Sequence, residues 1–170
     1  MVGEQFDDVL ILHELSHAWV AGERFDDRWV YEGLAQVLAD RAVGQVGGTP
    51  RGVDPVARSD PDAVALNEWS GSAGARSADV DAYAYPAAHA TTQALLGGLP
   101  DEELAPVLAA AIAGERAYDP AGTPPAGGAR TTWQRWLDLV QERGGVSDAP
   151  EVFRRWVLTP EEAALLAPRD

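Results

Sequence analysis

Apolar residues recur along this chain at helical rather than alternating spacing. From Val9 to Ala21 the only certain charge is Glu14, and Val, Leu, Ile, Ala and Trp surround it on nearly every side. That pattern predicts a buried first helix, capped by Asp7 or Asp8 and stopped at Gly22. After the polar loop GERFDD, Asp26 or Asp27 can cap a second helix, WVYEGLAQVLADRAV. In it Val30, Leu34, Val37 and Leu38 form a stripe at i, i+4, i+7 and i+8, and Gly44 terminates it.

Residues 44–60 are rich in Gly, Pro, Arg and Asp and read as loop. Asp60-Pro61 reads as the cap and first residue of a short helix to about Trp69, and a small-residue loop follows to Tyr83. A helix from about Pro86 to Leu96 and another from Asp101 to Ala113 form a hairpin across Gly97-Gly98. The stretch AYDPAGTPPAGGA is loop by composition. Thr131 or Thr132 caps a helix carrying Trp133, Trp136, Leu137 and Val140, a short helix runs from Asp148 through Trp156, and Thr159-Pro160 opens the last. No alternating run survives as a strand. The expected fold is an all-α helical bundle in one domain. Its parts are a helix pair over 1–43, a loop-rich connection over 44–82 and a helical C-terminal part over 83–170.

Composition narrows the chemistry. With 170 residues and a hydrophobic fraction of 46%, the chain is long enough for a real core. A net charge of −14 argues against nucleic acid or an anionic membrane as partner, since both need basic surface. All thirteen basic residues are arginine. The absence of cysteine removes disulfides, thiol catalysis and thiolate metal sites, so any metal must be held by histidine and carboxylate. No apolar run is long enough for a membrane span, and no charged segment precedes the first helix as in a signal peptide.

His13-Glu14-Leu15-Ser16-His17 is an HExxH motif. On a helix, histidines at i and i+4 share a face about 6 Å apart along the axis, so both can reach one Zn2+ ion. Glu14, rotated by roughly 100°, can sit beside the metal's water without ligating the metal. A buried carboxylate and two buried imidazoles need partners, and a zinc ion with its water supplies them.

A catalytic zinc site takes three protein ligands and a water, so one more is needed. Two candidates are Glu32, on the second helix, and Glu23, six residues after His17. Glu32 lies roughly opposite the Val30/Leu34/Val37 stripe, so it can be inside only if that helix is sandwiched between two neighbours. Glu23 sits where the metzincin pattern HExxHxxGxxH has its third ligand, but Val20 replaces the glycine and no Met-turn is possible.

With Trp29-Val30-Tyr31-Glu32-Gly33-Leu34-Ala35 following HExxH, residues 6–42 resemble the gluzincin metallopeptidases, especially the aminopeptidase-N-like branch. The resemblance implies His13, His17 and Glu32 as zinc ligands and Glu14 as general base. DAYAYPAAHATTQALLGG resembles the downstream helix of that branch, which carries an oxyanion-stabilising tyrosine. It implies Tyr83 for that role, with Tyr85 second. It also implies an N-terminal sheet that binds peptide along its edge strand, and twelve residues before His13 cannot form one. The expected function is hydrolysis of a peptide or protein substrate by the zinc-carrying helical half of such a domain. The alternative is a non-catalytic helical domain that binds zinc or a partner.

Overall fold

The helical periodicity becomes seven α-helices among the described residues, which in this computed structural model are 7–69, 78–123 and 130–166. They are α1 (Asp8–Ser16), α2 (Arg28–Gln45), α3 (Ala78–Leu96), α4 (Asp101–Ala113), α5 (Trp133–Glu142), α6 (Ala149–Val152) and α7 (Pro160–Leu165). No strand occurs among the described residues, and the one sheet-like contact is an isolated parallel bridge between Phe25 and Thr131. The all-α expectation therefore holds. Residues 70–77 of the loop expected before Tyr83, and residues 124–129 of the one over 117–129, lie outside the described residues.

α2 is the central element. Its most extensive interfaces are with α1 on one side and α3 on the other. The Val30, Leu34 and Val37 stripe is buried, as are Ala35 and Ala39 on other faces, so the helix is covered on more than one side. Close approach to α3 depends on Gly33, where a Cβ would come within 2.2 Å of Thr92 Oγ1 and 2.7 Å of the Ala88 carbonyl. Trp29, Phe25, Trp69, Trp136 and Phe153 fill one shared core with leucines of α2 to α5. Trp29 meets Phe153 edge-on at 5.5 Å and donates its indole N–H to Asn67.

Four local expectations are corrected. The first helix ends at Ser16 rather than near Ala21. Ser16 Oγ bonds back to the Leu12 carbonyl, and the amides of Ala18 and Trp19 take carbonyls three residues back, tightening the chain into a turn. That turn carries Val20, fully buried, into the core.

Nor is α1 buried on all sides. Val9 and Ser16 are its only buried residues, while Leu10, Ile11, Leu15 (55% exposed) and, just beyond the helix, Trp19 (65%) face outward. An apolar sequence cannot distinguish a helix wrapped on every side from one resting on a single neighbour.

The helix expected from Asp60 to Trp69 shrinks to a single 3₁₀ turn, Leu66–Glu68. Asp60 Oδ1 accepts the amide of Asp62, two residues on, but the chain makes only a turn there and does not continue as a helix.

Finally, α3 starts at least eight residues before Pro86 and runs through it. Proline lacks the N–H that would bond residue 82, but its ring is tolerated because α2 and the short helices hold α3 in place. The extension decides where Tyr83 and Tyr85 lie.

α2 runs to Gln45, past the expected stop at Gly44, while α4, α5 and α7 follow their signals. Thr132 caps α5 by accepting the Arg135 amide, Gly114 ends α4 in the left-handed conformation (φ 69°), and Thr159 with Glu162 forms a reciprocal capping box on α7. α6 continues into one π turn over Phe153–Val157, which the sequence did not signal.

Candidate metal centre

His13 and His17 lie on the face of α1 that meets α2. From the opposing helix Glu32 enters the space between them. Its Oε2 is 3.4 Å from His13 Nε2 and 3.6 Å from His17 Nε2, and the imidazole rings stand 4.9 Å apart and nearly perpendicular. One ligand atom from each of the three residues lies within 4.8 Å of the others. The three side chains retain 13%, 26% and 12% of their exposure, enough to reach solvent and too little to be freely hydrated.

This donor set fits zinc. Ligands about 2.0–2.1 Å from a tetrahedral ion are separated by roughly 3.4 Å, close to both nitrogen–oxygen distances. Two imidazoles and one carboxylate also make the usual three-ligand set of a catalytic zinc, which keeps a fourth position open.

Burial pushes the Glu32 carboxyl up, but a hydrogen bond from His13 and the neighbouring charges of His17 and Arg28 outweigh it and hold the group below the usual carboxylate range. The carboxylate is thus ionised at neutral pH, as a ligand must be. His13 Nδ1 is buried with no hydrogen-bond partner, which leaves Nε2 as the nitrogen turned to Glu32.

The centre opens onto a cavity of about 410 Å³ lined by Leu10, Glu14, Gln36, Arg51, Asp54, Tyr85, Pro86 and His89 besides the three donors. Glu14 is exposed at its edge, and no ion pair or hydrogen bond engages its side chain among the described residues. A carboxylate held free beside three metal donors is available to exchange a proton with a water in the cavity.

Tyr83 is not brought to this cavity. With α3 helical through Pro86, residues 83 and 85 differ by about 200° around the helix. Tyr83 is buried and lines a separate pocket with Pro55, Asp60 and Asp62, whereas Tyr85 lines the metal-centre cavity. Tyr85 accepts a hydrogen bond from Arg28 Nη2 at 2.5 Å, leaving its own O–H to donate. Burial and the Glu32 charge push its phenol up, so it remains protonated at neutral pH. Glu23, the other ligand candidate, is exposed and does not join the cluster.

Residues that motif reading did not single out complete the walls. Arg51 reaches across to Asp7, the cap of α1, at 2.5 Å, and so ties the 44–60 loop to the helix that carries both histidines. His89 lies 3.2 Å from Asp40. Its burial lowers its pKa, against the opposing pull of Asp40. Spacing along the chain gave no signal for Arg51, because it reaches the cavity from a loop remote in sequence, and Tyr85 was named only second to Tyr83.

No helix among the described residues is long and apolar enough to cross a membrane. Comparison of the chain with protein-family models, with curated proteins and with solved structures found no match.

Proposed function

We propose that the chain is a zinc-dependent metallopeptidase domain of the gluzincin kind. The observation that carries this reading is Glu32 Oε2, delivered by a second helix to within 3.4 and 3.6 Å of the two HExxH histidines. A structural pair of histidines does not require that convergence, and a metal does. His13, His17 and Glu32 hold the ion, which when bound polarises a carbonyl and lowers the pKa of water.

The chain's own groups supply the rest. Glu14 removes the proton from the attacking water and passes it to the leaving amine. Tyr85, rather than Tyr83, donates its hydroxyl toward the oxyanion that develops as the carbonyl is attacked. The substrate is a peptide or protein segment crossing the cavity between α1 and the 51–54 loop.

A second reading has one observation in its favour. Leu10, Ile11, Leu15 and Trp19 expose a row of large apolar side chains along α1, which suits a zinc-holding domain that acts by binding a partner. One experiment separates the two. Protein prepared without added metal is assayed for zinc per chain and for cleavage of unstructured peptides, alongside Glu14→Gln. The peptidase reading expects close to one zinc in both proteins, chelator-sensitive cleavage by the parent, and cleavage lowered about 10³-fold in the variant. Full zinc occupancy with no cleavage by the parent would leave the binding domain.

A further inference from the structure

We propose that Arg28 is the positioning residue of this metal centre. It holds one oxygen of Glu32 so that the other faces the histidines, and it anchors the Tyr85 hydroxyl over the same cavity. The inference rests on reading His13, His17 and Glu32 as a metal site.

The Glu32 carboxylate is divided between two surroundings. Oε2 faces the two imidazoles, while Oε1 lies 3.5 Å from Arg28 Nε. Arg28 is the first residue of α2, one helical turn before Glu32, so both side chains leave the helix on one face. A carboxylate with both oxygens free could turn about its terminal bond and offer either oxygen, or both. An arginine fixed against one oxygen removes that freedom before a metal arrives.

Arg28 is itself fixed. Its side chain is 13% exposed, and the guanidinium lies 4.5 Å over the Trp69 ring and 5.2 Å from the Tyr85 ring. Nη2 donates to Tyr85 Oη at 2.5 Å, Nη1 is 4.0 Å from Asp81, and Asp81 is bonded in turn by the Trp69 indole at 2.8 Å. The Trp69 and Tyr85 rings meet edge-on at 4.9 Å. Arg28 Nε is buried without a hydrogen-bond partner, a donor left beside the Glu32 oxygen that faces away from the histidines. A single rigid fork thus touches both the third donor and the phenol. Lysine has the charge but not the fork.

Simple electrostatics and positioning predict opposite signs. A cation beside a divalent ion repels it, so deleting a mere neighbouring charge strengthens metal binding. Deleting a positioning residue weakens it. The experiment is zinc affinity, measured by competition with a chromogenic chelator, for the parent, Arg28→Lys, Arg28→Gln, Glu32→Ala and the double variant Glu32→Ala/Arg28→Lys. Thermal unfolding of each metal-free protein identifies any variant that has lost its fold, and Lys and Gln serve as independent replacements.

The expected result is a loss of about tenfold or more in affinity for both Arg28 variants, as for other groups that orient a ligand. Arg28→Lys should cause no further loss once Glu32 is alanine. Cobalt(II) in the Arg28→Lys protein should show a visible spectrum different from the parent's. Unchanged or tighter zinc binding in folded Arg28→Lys and Arg28→Gln overturns the proposal, as does an equal loss in the presence and absence of Glu32. A parent that binds no zinc overturns the metal-site reading itself, an outcome distinct from either.

Discussion

Tyr83 and Tyr85 are two residues apart, and only Tyr85 lines the cavity beside the His13, His17 and Glu32 cluster, where the proposed substrate would lie. Tyr85 has a hydroxyl engaged as acceptor by Arg28 and free as donor. Tyr85→Phe should therefore lower the turnover of peptide by about 10²-fold with little change in zinc content, the usual effect of losing one donor to a developing oxyanion. Tyr83→Phe should leave turnover near the parent's. Steady-state kinetics of the two variants decide the assignment, and the reverse ranking would return the role to Tyr83.

Asp27 offers a test away from the metal. It occupies the N-cap position of α2, yet its side chain makes no capping bond there and instead accepts the Trp133 amide. Burial raises its pKa from 3.8 to about 6, against the pull of that hydrogen bond. Because the folded value lies above the unfolded one, the neutral acid favours the folded state. That contribution is complete below about pH 4 and is lost as pH rises through 6. A shift of this size corresponds to at most about 3 kcal/mol, reduced by solvent screening because part of the group is exposed. Asp27→Asn should be more stable than the parent at pH 7 and equal to it near pH 4. Denaturant melts at both values measure the difference, and a variant less stable at pH 7 would contradict the assigned cause.

At the scale of elements, α2 links the candidate metal donors to the core. Glu32 and Gly33 are neighbours with opposite tasks. Glu32 faces α1 and the histidines, while Gly33 permits α3 to approach where no side chain fits. Gly33→Ala gains intrinsic helix propensity of about 1 kcal/mol, but its methyl would overlap Thr92 and the Ala88 carbonyl. Overpacking of that kind costs about 1–3 kcal/mol, and backbone resists displacement more than a side-chain tip. The variant should unfold at lower denaturant than the parent. Arg41 fixes the far end of the same pair of helices. It donates to the carbonyls of Leu96 and Leu99 at 2.8 Å and pairs with Asp101 at 2.7 Å, which binds the α3–α4 turn to α2.

In the whole molecule, the candidate metal centre lies between α1 and the rest. α1 has few buried residues of its own, and besides its packing on α2 it is tied by the Arg51–Asp7 pair and by its histidines. A bound ion would join α1 to α2 directly. Ligand linkage then predicts that free zinc at 100 times its dissociation constant stabilises the parent by about 2.7 kcal/mol. In a chain of this size that is a rise of about 5–10 °C in melting temperature. His17→Ala should lose most of the rise. Differential scanning calorimetry with zinc and with chelator checks it, and an equal rise in the variant would mean that zinc acts elsewhere.

The local periodicities of the chain determined the helical class, the capped starts of α5 and α7, the glycine stop of α4 and the core stripe of α2, because each depends on residues within one or two turns. The HExxH spacing likewise placed two imidazoles on one face of α1. Tertiary structure decided which side of each helix is covered. It left an apolar face of α1 exposed, carried α3 through Pro86 and so separated Tyr83 from Tyr85, and set Glu32 rather than Glu23 between the histidines. It also brought Arg51 and Tyr85 to the cavity beside His13, His17 and Glu32 from segments far apart in sequence. Those outcomes depend on which surfaces meet, and residues that meet across helices leave no period in the chain.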